Sequence, residues 1–89
     1  MVEAEAEIVN RLGLHARAAA KLVHIASPFE SSISLSSDGQ EVDAKSILGV
    51  LLLAAAQGMR VRIRCTGVDE KEALQALLEL IADSFGEDP

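Results

Sequence analysis

The sequence predicts an α+β domain in which one β-sheet carries its helices on a single face. Three observations carry that expectation. Segments of strict apolar–polar alternation take turns along the chain with segments whose apolar residues recur at helical spacing. Each alternating segment has only one apolar face, so one side of the sheet is covered and the other meets water. Two of these segments also carry opposite charges on their polar faces: Glu3, Glu5 and Glu7 in one, Arg60, Arg62 and Arg64 in the other. Opposite charges facing across strands stabilise by about 0.2–1 kcal/mol per pair, so the first and last strands are expected to be neighbours.

The first strand is VEAEAEI, with Val2, Ala4, Ala6 and Ile8 on its inner face. A turn over Asn10 to Gly13 leads into a helix from about Ala16 to Ala26. Its stripe is Ala19, Leu22, Val23 and Ala26, and Pro28 closes it, because the residue before a proline avoids the helical region. SISLS, from Ser32 to Ser36, alternates again. Asp38-Gly39 is a hairpin signal leading to a short strand at Gln40 to Val42. Ser46 has the chemistry of an N-cap for the helix ILGVLLLAAAQ, expected to run to Gly58, with Val50, Leu53 and Ala54 facing the core. MRVRIRCT, Met59 to Thr66, turns Met59, Val61, Ile63 and Cys65 inward. Asp69 and Glu72 have the spacing of a capping box for a last helix with the stripe Leu74, Leu77, Leu78, Ile81 and Phe85. The order is β-α-β-β-α-β-α in one domain, residues 1–86, and residues 87–89 are expected to fray.

The chain has 89 residues and a net charge of -6, with no basic stripe, which speaks against nucleic acid as a partner. Cys65 is the single cysteine, so neither an internal disulfide nor a cysteine metal cluster is expected. The acidic N-terminus lacks the basic region of a signal peptide, and the longest apolar run, Val50 to Ala56, is far too short to cross a membrane. A cytoplasmic, reduced protein without metal or cofactor is expected.

The stretch GLHARAAAKLV, from Gly13 to Val23, breaks two local rules. Helices open on Ser, Thr, Asp or Asn, whose oxygen satisfies a free N–H of the first turn, and they favour acidic residues there. Here His15 holds the opening position and Arg17 sits in the first turn. A helix start without an acceptor is a ready anion site. Arg17 would add a planar fork matched to phosphate oxygens, and an imidazole, ordinarily titrating at about 6.5, is substantially neutral and nucleophilic at cell pH. The residues alone leave two readings open: a site where an imidazole accepts a phosphoryl group, or a surface histidine beside a solvated arginine. That two rules break side by side favours the first.

GLHAR followed by a small-residue helix, then KSILGV about thirty residues on, resembles HPr, the histidine-containing phosphocarrier of the bacterial phosphoenolpyruvate-dependent phosphotransferase system. The likeness extends over residues 2–86 through LVHIAS, SSISLSSDGQEVDAKSI and GVDEKEAL. It implies an open-faced β-sandwich: a four-stranded antiparallel sheet of order 1-4-2-3 with three helices on one face. It implies a stoichiometric carrier rather than an enzyme, with His15 accepting a phosphoryl group on Nδ1 from phosphorylated enzyme I and passing it to an EIIA-type domain. Arg17 would be the phosphate partner. The output would be sugar uptake or, in a nitrogen-type or truncated system, regulation through phosphorylation-dependent binding. One departure stands out: Ala18 occupies the position at which the family usually carries proline. Proline suits a first helical turn, and alanine restores an N–H donor there.

Capping alone explains Ser46, whereas the resemblance adds regulatory phosphorylation by HPr kinase/phosphorylase. The second helix is apolar nearly all round, so Ile47, Leu48 and Leu51 are expected to face solvent as a contact patch. With Ala16, Ala20 and His24 of the first helix, they would form the partner-docking surface of a monomer. A binding module that had lost the chemistry would lack His15. A small α/β enzyme such as an acylphosphatase would need an anion-binding loop that the sequence does not show. An acyl carrier protein is excluded by the strand periodicities.

Overall fold

The computed structural model describes residues 1–87. Strand β1 (Val2–Glu7) leads to helix α1 (Ala16–Ala26), strands β2 (Ser32–Ser37) and β3 (Gln40–Asp43), helix α2 (Ile47–Leu53), strand β4 (Arg60–Thr66) and helix α3 (Glu70–Ala82), with a 3-10 turn at Ser84–Gly86. The sheet is antiparallel in the order β1-β4-β2-β3. The charge rows meet, as adjacency of the first and last strands requires, and the antiparallel register sets Glu3 opposite Arg64, Glu5 opposite Arg62 and Glu7 opposite Arg60. Glu3 and Arg64 approach to 3.0 Å and Glu5 and Arg62 to 3.5 Å. Asp38 (φ 55) and Gly39 (φ 84) form the tight turn between β2 and β3, both with the positive φ that such a hairpin needs.

The helices cover the apolar face. Ile8, Ile33, Leu35, Val61, Ile63 and Cys65 of the sheet side pack with Ala19, Leu22, Val50, Leu77, Ile81 and Phe85 of the helical side in one buried core. Burial also pushes the Cys65 thiol above its ordinary pKa, with smaller contributions from Glu70 and Asp69. No described helix is long and apolar enough to cross a membrane.

The structure departs from the sequence expectations at two helix ends. Helix α2 stops at Leu53, five residues before Gly58, because Ala54 turns into the left-handed region (φ 53, ψ 36). That turn buries Ala55 and exposes Ala54, the reverse of what an uninterrupted helix would do. The Asp69–Glu72 capping box does not form, since Asp69 makes no side-chain cap bond. Its carboxylate accepts instead from the Glu30 N–H (2.9 Å), the Ser31 N–H (3.0 Å) and the Ser31 hydroxyl (2.5 Å). These bonds tie the start of α3 to the loop between α1 and β2. Gly67 packs against that loop so closely that a Cβ would lie 2.6 Å from the Ser31 α-carbon.

The Ser31 hydroxyl, followed by the Glu30 N–H, holds the Asp69 carboxyl below its usual pKa. A depressed folded-state pKa gives stability that is present above the unfolded value, about 4, and lost as pH falls through the folded value. Urea unfolding across pH will therefore show a lower midpoint as pH drops below about 4. Asp69→Asn will be less stable than the natural protein at neutral pH and will lose less on acidification.

Candidate functional site

Backbone pairing with the far segment continues one residue past the end of β1. The Ile8 N–H bonds the Met59 carbonyl at 2.9 Å, and the Gly58 N–H returns to the Ile8 carbonyl at 2.8 Å. The chain then turns at Asn10, whose carbonyl accepts from the Gly13 N–H at 3.1 Å. Gly13 has φ +65, and a Cβ there would lie 2.5 Å from the Ala55 carbonyl oxygen, so this close approach is open only to glycine. The Leu14 N–H then donates to that same oxygen at 2.9 Å. The turn after α2 thus holds the entry to α1.

His15 is the N-cap of α1, with extended backbone (φ -73, ψ 177), no side-chain cap bond and no acidic residue in the first turn. The first backbone bond of the helix runs from the Ala19 N–H to the His15 carbonyl at 2.8 Å. The N–H groups of Ala16, Arg17 and Ala18 precede it and have no intrahelical acceptor. Ala18, fully buried, is the third helical residue, so its N–H joins this open set.

The side chains complete an open cavity of about 660 Å³, lined among others by Arg11, His15, Arg17, Lys21 and Glu87. Three of the protein's eight Lys and Arg residues face it, although the net charge is -6. Arg60, Arg62 and Arg64 stand instead in the strand row opposite Glu7, Glu5 and Glu3. Basic side chains beside unfilled helix N–H groups make a local field suited to a phosphate. His15 itself is half-buried, and its Nε2 is hydrogen-bonded to Glu87 Oε2. That bond holds the Glu87 carboxyl below the usual carboxylate range against the opposing effect of desolvation.

The other residues singled out in the sequence fall as follows. Ala16, Ala20 and His24 are exposed along α1. Ser46 caps α2, its oxygen accepting from the Gly49 N–H at 3.0 Å. Ile47 and Leu48 are 48% and 67% exposed, whereas Leu51 packs partly against the core and Leu52, 65% exposed, takes its place on the outside. Residues 87–89 were expected to fray. Glu87 is held against His15 and Asn10, and residues 88 and 89 lie outside the described residues. Sequence reasoning missed Glu87, Asn10 and Lys21. One of two adjacent acidic residues in a terminal Gly-Glu-Asp-Pro carries no signal, and Asn10 reads only as a turn residue.

A family model described as the phosphotransferase-system HPr component phosphorylation site matches residues 2–83. The chain belongs to the HPr family. It is 56% identical over 88 residues to the phosphocarrier protein HPr of Xylella fastidiosa strain Temecula1, covering 99% of each chain. It is 39% identical over 88 residues to the phosphocarrier protein NPr of Escherichia coli K12, covering 98% of each. The crystal structure of HPr-C-His from Thermoanaerobacter tengcongensis superimposes with a TM-score of 0.96 at 46% identity, covering 100% of both chains. The sheet order of this HPr-family chain and its three helices match that fold.

Because Gly13 fits under Ala55 only without a side chain, Gly13→Ala should cost more than about 1 kcal/mol of stability. In urea unfolding this appears as a lower midpoint with an unchanged slope.

Proposed function

We propose that the protein is a phosphocarrier of the phosphotransferase system: His15 Nδ1 accepts a phosphoryl group from phosphorylated enzyme I and delivers it to an EIIA-type domain, in sugar uptake or its regulation. The observation that carries this reading is the placement of His15 as an N-cap without a capping bond, beside Arg17, at the open start of α1. With Nε2 engaged by Glu87, Nδ1 is the nitrogen left for chemistry. In the transfer the Nδ1 lone pair forms a new N–P bond as the donor's bond to phosphorus breaks, and the bonding pair stays with the donor. The free N–H groups of the first turn and the Arg17 guanidinium stabilise the charge that arrives. The protein is consumed and regenerated once per transfer, so it acts as a carrier and not as an enzyme.

Ser46 is the proposed site of regulatory phosphorylation by HPr kinase/phosphorylase. Its hydroxyl already lies at the start of a helix, where a phosphate is electrostatically favourable. Ala16, Ala20 and His24 of α1, with Ile47, Leu48 and the less exposed Leu51 of α2, form the proposed docking surface for enzyme I and the EIIA domain. The protein works as a cytoplasmic monomer.

Intact-mass spectrometry under alkaline quench, after incubation with enzyme I, phosphoenolpyruvate and Mg²⁺, tests the carrier reading. One added phosphoryl group is expected, labile to acid and absent from His15→Ala. Arg17→Ala should still accept it, about a hundredfold more slowly. No addition to the natural protein by a competent cognate enzyme I would overturn the reading.

A further inference from the structure

We infer that Glu87 is a positioning residue for His15: its carboxylate fixes the imidazole with the proton on Nε2 and the lone pair on Nδ1. The inference rests on the phosphocarrier reading and deepens it. An ionised carboxylate can only accept, so Nε2 must be the donor in its bond to Glu87 Oε2. In the neutral ring the other nitrogen then carries the lone pair.

The carboxylate is itself held from behind. Glu87 Oε1 accepts from Asn10 Nδ2 at 3.1 Å, and the same Nδ2 donates to the Gly13 carbonyl at 2.8 Å. Asn10 is fully buried, and reversing its amide would set oxygen against both acceptors. Its Oδ1 has no partner among the described residues, a cost accepted where both amide hydrogens are committed to this arrangement.

The backbone delivers Glu87 deliberately. Ser84 and Phe85 both have φ 56, two consecutive non-glycine residues in the left-handed region. Such strain persists only where the surroundings enforce it. Phe85 is fully buried, Lys21 Nζ donates to its carbonyl at 2.6 Å, and the Glu87 N–H closes the turn on the Ser84 carbonyl at 2.9 Å. The turn reverses the chain after α3 and returns it to the start of α1.

The consequence for transfer follows from proton placement. Nδ1 attacks phosphorus with its lone pair while the donor's bond to phosphorus breaks towards the donor. No proton needs to leave His15, because Nε2 keeps its own. The ring of the product is then positively charged, and the adjacent carboxylate stabilises it.

Full-length Glu87→Ala and Glu87→Gln test this with two readouts: the ¹H–¹⁵N spectrum of the His15 ring, and the kinetics of phosphorylation by enzyme I and phosphoenolpyruvate. The natural protein should show a slowly exchanging Nε2–H resonance that Glu87→Ala lacks. The rate at saturating carrier should fall about tenfold in Glu87→Ala with little change in KM, as loss of one charge-assisted hydrogen bond implies. Glu87→Gln, which keeps an acceptor but not the charge, should fall between the two. An unchanged ring spectrum overturns the inference, as does an unchanged or faster rate. If the natural protein takes up no phosphoryl group at all, the carrier reading fails, while the ring spectrum still decides whether Glu87 fixes the imidazole.

Discussion

The position of His15 depends on one backbone contact. Gly13 and Leu14 are pinned to the carbonyl of Ala55, one through the absence of a side chain and the other through its N–H. This contact joins the entry of α1 to the exit of α2. It accounts for the glycine at position 13, for the burial of Leu14 and for the left-handed turn at Ala54 that presents the Ala55 carbonyl. Both segments are attached to the β1–β4 pair through Ile8, Gly58 and Met59. The site therefore rests on the sheet through short, rigid links.

Charge is distributed to match. The sheet face turned to water opposes its glutamates with its arginines, while Arg11, Arg17 and Lys21 gather at the start of α1. In an acidic protein this gathers a positive field around the start of α1. The proposed chemistry needs such a field only there, where a phosphoryl group would arrive at an unfilled helix terminus. The proposed docking surface beside it is apolar apart from His24, so approach and transfer would draw largely on different forces.

Much of this was legible in the sequence. The strand faces, the hairpin at Asp38-Gly39 and the adjacency of β1 and β4 follow from alternation and charge, which depend on neighbours in the chain. The anomaly at His15 was visible because it contradicts local rules. What failed depended on distant partners. The run LLLAAAQ has no local stop signal and alanine favours helix, yet the pairing of Ala55 with Leu14 ends α2 early. Asp69 has the right spacing for a cap, but three donors from residues 30 and 31 claim its carboxylate. Glu87 reaches His15 only because the chain reverses at Ser84 and Phe85, a conformation neither residue type announces.

The most direct test of the account is the amide ¹H–¹⁵N spectrum of the protein before and after phosphorylation. If the open start of α1 receives the phosphoryl group, the largest downfield shifts will fall on the N–H groups of Ala16, Arg17 and Ala18. If those amides stay unmoved while the phosphoryl group resides on His15, the helix terminus is not the anion site and the account is contradicted.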